Sequence, residues 1–507
     1  MWRKGVLLAP SVPGDEAGAI EEGTMFIDRM FGRRARGCAA AGLACVLAAG
    51  CAVNPVTGRR QLALVSEAQE IQMGRQAAQE VGQQLGLVDN QPLQDYVQRV
   101  GEQLARESER PNLPWTFRVV DDATPNAFAL PGGFIFLTRG MMDLMDSEAE
   151  MAAVLGHEIG HVTARHSVTQ ISRGQLAQLG LGVGSIFFPE AAQTFGGLAQ
   201  TGMQLLFLSY GRDAERQADE LGFRYALREG FEIREMDDIF ATLMRIGQAS
   251  GRSEIPSWLA SHPAEPERIR AAQARADTVT RGPLNTGREA YLARINGMVY
   301  GDDPRQGFFR GGVFLHPEMR FRIDFPQGWR TQNMPQAVNA LAPQQDAVLQ
   351  LTLAQGANAE DAARRFLSQQ GLRAGQGGRQ NVNGNPAVVS YFQAQTQQGI
   401  LTGMVAFIEH NGRTFQVLAY TPSQAFNRYE PAFRQVIGSF DQVTDPAVLN
   451  VRPNRIDVVR TTRQMTLSDF NRQHPSVIPL PELAILNQVE GPTSVLPAGQ
   501  WKRVVAQ

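Results

Sequence analysis

The run from Ser147 to His166, SEAEMAAVLGHEIGHVTARH, constrains this chain more than any other stretch. Ser147 followed three residues later by Glu150 reads as a capping box, and the Ala, Met, Val and Leu behind it continue a helix through His157, Glu158 and His161. Residues four apart lie on one helix face one turn apart, so both imidazoles can reach a single zinc ion. Glu158, beside the first imidazole, is placed to take a proton from a zinc-bound water. The same spacing also fits two histidines satisfied in a core or on a surface, and a third ligand is what separates the two readings.

The chain has seven histidines, His157, His161, His166, His262, His316, His410 and His474, so the third ligand is sought among carboxylates. SYGRDAERQADELGFRYALREG, from Ser209 to Gly230, is a second helical pattern ended by glycine. Glu215, Asp219 and Gly222 fall on one face of it. Glu215 can complete a His-His-Glu site, Asp219 can accept a hydrogen bond from a ligand imidazole, and Gly222 can let the two helices approach. A charged solvated face is the ordinary use of such carboxylates, and the pairing with HEIGH favours the metal.

HEIGH followed by ERQAD and Gly222 resembles the gluzincin metallopeptidase family of HtpX, BepA, LoiP and the CAAX prenyl proteases. Further matches are Asn126 to Gly133 (NAFALPGG) with Phe134 to Thr138 behind it, and Ser261-His262-Pro263 with Arg268 and Ile269. The resemblance implies one Zn2+ per chain on His157, His161 and Glu215, with Asp219 behind a ligand and Glu158 as the catalytic base. It brings His262 to the metal as an oxyanion donor or as a regulatory fourth ligand. It implies a mainly α-helical zincin-type catalytic domain with a small β-sheet, in which Phe134–Thr138 is an open edge strand for substrate. His166 reads as a structural histidine off the metal face.

A chain of 507 residues exceeds one ordinary core and is expected to be multidomain. With 43% hydrophobic and 19% charged residues and a net charge of −2, it carries no nucleic-acid footprint. Cys38, Cys45 and Cys51 all lie in one N-terminal segment, behind Arg33, Arg34 and Arg36. That segment, residues 1–51, reads as a signal peptide whose Leu47-Ala-Ala-Gly-Cys51 resembles a lipobox. Lipid on Cys51 would anchor the protein to the outer membrane, facing the periplasm. Ala48 departs from the lipobox pattern, which leaves ordinary cleavage or a retained anchor as alternatives.

The expected division is a zinc metalloprotease domain over 52–285, a linker over 286–305, an α+β domain similar to PsbP-like domains over 306–446, and a small βααβ module over 455–507. Two amphipathic helices with a covering loop are expected over 171–208, and no 34-residue repeat is found. The last module resembles LysM, which implies peptidoglycan as a partner, although Thr461-Thr462-Arg463 stands where LysM usually opens with Gly-Asp. Together these features imply an endopeptidase acting on unfolded or misassembled envelope polypeptides. The alternatives are a largely latent envelope chaperone and a peptidoglycan peptidase.

Overall fold

The computed structural model describes residues 51–178, 210–249, 257–262, 266–279, 284–396 and 399–506. The expected signal peptide, Cys38, Cys45 and most of the expected covering segment lie outside these residues. Two short strands, β1 (Cys51–Val53) and β2 (Arg60–Leu62), pair antiparallel. Helix α1 (Glu67–Gln84) then starts from a complete capping box, with Ser66 accepting from Gln69 N–H and the Gln69 side chain returning to Ser66. Helix α2 spans Gln91–Arg106.

Strands β3 (Thr116–Val120), β4 (Ala127–Leu130) and β5 (Phe134–Thr138) form a three-stranded sheet in the order β3-β5-β4. Phe134–Thr138 therefore has partners on both sides, parallel to β3 and antiparallel to β4. This corrects the expected open edge: a strand whose backbone groups are paired on both sides cannot add a substrate strand.

Helices α3 (Arg139–Leu144) and α4 (Glu148–Thr163) follow. Ser147 caps α4 by accepting from Glu150 N–H at 3.0 Å, but the Glu150 carboxylate accepts from Asp146 N–H rather than closing the expected box on Ser147. Helices α5 (His166–Gln178), α6 (Arg212–Arg228), α7 (Glu235–Ala249), α8 (Ser257–Ser261) and α9 (Pro266–Asp277) complete the region around α4. The stretch 286–305 holds α10 (Arg288–Ile295), whose Tyr291, Leu292 and Ile295 are buried in the same core as α4. Apolar residues at helical spacing cannot stay in a solvated connection, so this segment is core and not linker.

Residues 306–446 have a core of their own. Their seven-stranded antiparallel sheet runs in the order Leu372–Val382, Asn385–Thr396, Gly399–His410, Arg413–Pro422, Val348–Leu353, Ala337–Leu341, Arg330–Met334. Alternation sets its two faces: Val405 and Phe407 pack with Ala359, Ala362 and Ala363 of helix Ala359–Leu367, whereas Met404, Ala406 and Ile408 pack with Phe433 and Val436 of helix Phe426–Gly438.

The chain then returns to the first core. Strand β6 (Asn454–Thr461), helices α11 (Leu467–Gln473) and α12 (Leu480–Leu486) and strand β7 (Gly499–Ala506) follow, with β6 and β7 antiparallel, and a further short antiparallel pair, Met465–Thr466 with Val495–Leu496, brackets the two helices. Ile456, Phe470, Leu483, Leu486 and Val504 share one apolar cluster with Met141, Leu144 and Tyr291. Where the chain departs and re-enters, Gly297 N–H donates to Ile456 O, Ile456 N–H to Met298 O and Tyr300 N–H to Asn454 O at 2.8–2.9 Å. Residues 306–446 are thus inserted between two strips of backbone that are paired to each other. Among the described residues, no helix is long and apolar enough to cross a membrane.

Candidate metal centre

Helices α4 and α6 lie against each other through glycines. A Cβ on Gly222 would fall 2.7 Å from His157 N and 2.8 Å from Gly156 C, so only hydrogen fits. That closeness lets short side chains from both helices converge. His157 Nε2 lies 3.0 Å from His161 Nε2 and 3.6 Å from Glu215 Oε2, and His161 Nε2 lies 3.5 Å from Glu215 Oε1. His262, whose N–H donates to Trp258 O just after α8, brings Nδ1 to 3.2 Å from His157 Nε2 and 3.1 Å from Glu215 Oε1.

Donor atoms of these four residues all lie within 4.8 Å of one another, and all four residues are buried. A tetrahedron with bonds of about 2.0–2.1 Å has edges of roughly 3.3 Å, so the donors have the spacing of a four-coordinate zinc site. Glu158 stands beside them. Its Oε1 lies 3.4 Å from Trp258 Nε1 and 3.6 Å from His262 Nε2, while its Oε2 is buried with no hydrogen-bond partner among the described residues. A carboxylate oxygen left unpaired in a buried site suits a group that works on a bound water.

The surroundings fix each donor. His157 Nδ1 faces Asp219 Oδ1 at 2.9 Å, which leaves Nε2 free for a metal. Arg268 of α9 donates to both Asp219 oxygens at 2.7 Å and pairs with Glu215 Oε2 at 2.8 Å. Burial pushes the Asp219 and Glu215 carboxyls up, but the bonds and charges of Arg268, His157 and His262 outweigh it and hold both below the usual range. His161 Nδ1 lies 3.0 Å from His166 Nδ1, and His166 Nε2 lies 3.0 Å from Gln217 Oε1. Burial pushes His166 down to about 4, so it is neutral at pH 7 and can accept the His161 proton. Burial and the neighbouring imidazole of His157 likewise push His161 well below its ordinary value, which leaves it a lone pair to offer.

The structure therefore brings together every residue that the sequence singled out: His157, Glu158, His161, Glu215, Asp219 and His262. His166, read as a structural histidine, is no donor to the site but touches the far nitrogen of one. Four contributors had no assigned role: Arg268, Gln217, Trp258 and Tyr210. Tyr210 stacks on the His161 ring with centroids 4.0 Å apart and hydrogen-bonds Ser167 at 2.8 Å. Arg268 was visible as part of a motif, but no spacing rule ties it to Asp219, which lies 49 residues away.

Residues 92–276 match the profile of Peptidase family M48. The chain is 32% identical over 259 residues to the beta-barrel assembly-enhancing protease of Yersinia pestis, covering 49% of this chain and 52% of that one. It is 28% identical over 248 residues to the protein of the same name from Escherichia coli, covering 47% and 50%. Over 220 residues it is 30% identical to the mitochondrial metalloendopeptidase OMA1 of Schizosaccharomyces pombe, covering 43% and 64%. The chain thus spans about half the length of the beta-barrel assembly-enhancing proteases it matches. Among solved structures, cyanobacterial PsbP from Synechocystis is 12% identical, covers 26% of this chain and 94% of its own, and has a TM-score of 0.22, too low to carry an argument.

Proposed function

Because residues 92–276 carry a peptidase family M48 domain, we propose that this chain is a zinc-dependent endopeptidase of the bacterial cell envelope. The observation that carries the proposal is the convergence of three imidazoles and Glu215 beside the buried carboxylate of Glu158. His157, His161 and Glu215 would hold the metal, with His262 as a displaceable fourth donor. Zinc in that position supplies Lewis acidity and brings the pKa of a bound water toward ~7.

Glu158 then does the proton work: it takes the proton of the attacking water and returns it to the leaving amine. Asp219 holds the His157 tautomer, and Arg268 holds Asp219. His166 accepts from His161 Nδ1 and so fixes the second imidazole. A metal held by all four side chains would have no protein-free position, whereas a catalytic site keeps one open. In this reading His262 would act as a brake that swings away before water and substrate are both accommodated.

The relatives' name, beta-barrel assembly-enhancing protease, supports a task in the assembly of barrel proteins, and the proposed substrates are unfolded or misassembled envelope polypeptides. The proposal includes a periplasmic site of action, with lipid on Cys51 as the outer-membrane anchor and residues 455–507 as a candidate contact to peptidoglycan. Zinc content and casein cleavage, measured side by side for the wild type, Glu158→Gln and His262→Ala, test the reading. We expect about one zinc per chain throughout, cleavage abolished in Glu158→Gln, and faster cleavage in His262→Ala. A wild type that binds no zinc would refute the metalloprotease assignment, and slower cutting by His262→Ala would make His262 a transition-state donor instead.

A further inference from the structure

The start of α4 is held by a residue from the far end of the chain. The chain has 48 basic residues, and all are Arg except Lys4 and Lys502. Lys502, on β7, is fully buried. Its Nζ donates to the carbonyls of Asp143 at 2.9 Å and Met145 at 3.0 Å, lies 3.4 Å from that of Leu144, and pairs with Asp146 Oδ1 at 2.7 Å. These carbonyls end α3 and face away from any further helical turn, where a cation is favoured. A compact ammonium can serve several carbonyls from one point, which the planar fork of an arginine cannot.

The same strip of chain makes further contacts. Gln488 Nε2 donates to Leu144 O at 3.0 Å and to Glu150 Oε2 at 2.9 Å. Asn487, wholly buried, exchanges two 2.8 Å hydrogen bonds with the Lys502 backbone and so fixes where the lysine emerges. Arg288 ties Asp146 to Gln500 O. Asp146 immediately precedes Ser147, the cap of α4, and His157 lies about three turns further along.

We propose that residues 454–506 complete the peptidase unit and that Lys502 is a positioning residue for the helix bearing His157, Glu158 and His161. The inference depends on the peptidase reading only for its effect on turnover. An ammonium that ties the end of α3 to the start of α4 fixes the axial position of α4. Axial movement of α4 by a fraction of an ångström would misplace the two imidazoles against Glu215 on α6.

The test uses the full chain in three forms: Lys502→Met, Arg460→Ala as a control on an exposed pair that also joins the module to α10, through Glu289, and a variant with a specific protease site between Asn450 and Val451 that is then nicked. We expect Lys502→Met to raise amide exchange at the start of α4 by about tenfold or more. With casein, its kcat falls by about tenfold while KM stays within about twofold. Arg460→Ala changes none of these. In the nicked protein, the fragment that begins at Val451 stays bound through size-exclusion chromatography.

Unchanged exchange at the start of α4 in Lys502→Met would overturn the proposal, and so would loss of the fragment from the nicked protein. If Lys502→Met does not fold, retention of the fragment decides. If neither the wild type nor His262→Ala cuts casein, the peptidase reading fails while exchange and fragment retention still judge this one.

Discussion

Asp219 uses one carboxylate to serve two partners: it orients the His157 ring through Nδ1 and receives the Arg268 fork. Removing it frees the imidazole to rotate and leaves the buried Arg268 guanidinium with Glu215 as its carboxylate partner. Asp219→Ala should therefore weaken zinc binding about 10- to 100-fold, read by chelator competition, without removing any ligand. Glu215 and Asp219 were legible because helical spacing puts them on one face with Gly222. Gln217, Trp258 and Tyr210 were not, because a ring contact across separate helices leaves no periodic trace in sequence. A different histidine sets a pH limit on the inserted domain. Burial, aided by Arg413, pushes His316 down to about 4, and its Nδ1 accepts from Met319 N–H at 3.2 Å. Unfolded histidine titrates near ~6.5, so the unfolded chain takes up the proton first as pH falls. The stabilisation is complete above about pH 6.5 and is lost toward about pH 4, at most ~3 kcal/mol. His316→Gln should flatten that dependence in urea unfolding measured at several pH values.

Helix α4 is gripped at both ends. At its C-terminal end Arg110 donates to Val162 O at 3.0 Å and pairs with Glu70 at 2.8 Å, while Arg165 reaches the other Glu70 oxygen at 2.9 Å. Asn54, in the turn between β1 and β2, donates to Ala164 O at 3.2 Å. Between the grips, α4 meets α6 through Gly156, Gly160 and Gly222. Gly222→Ala must push the helices apart, since the new methyl would meet backbone and not a flexible side chain. We expect a loss of about 1–3 kcal/mol in denaturant unfolding, with weaker zinc binding because the two ligand helices separate. The sequence showed these helices through glycine placement and apolar period. The role of Phe134–Thr138 was not legible, because a buried apolar run reads alike whether the strand is central or at an edge. Its place between β3 and β4 follows from pairing that sequence order alone does not dictate.

At the scale of the molecule, one core is built from described residues on both sides of 306–446, and a second domain is inserted between them. The boundary read from the change in composition after about residue 285 was placed too early, because Tyr291, Leu292 and Ile295 still belong to the first core, whereas the two long strands and two helices of the tail were readable. That the tail returns to the first core was not, because the contacts joining Lys502 to Asp143 span 359 residues. Replacing 306–446 by a short flexible link should leave the zinc site intact, since Tyr300 and Asn454 are already hydrogen-bonded. The expected outcome is zinc content and casein cleavage within about twofold of the full chain. Synthesis adds a temporal order to this arrangement. All residues of the metal centre emerge well before the lysine that steadies their helix, which follows Asp143 by 359 residues and hence by roughly 20–70 s at about 5–20 residues per second. A nascent chain would carry its ligands but not their settled geometry, so we expect the donor cluster to reach its final arrangement only after Lys502 has been made.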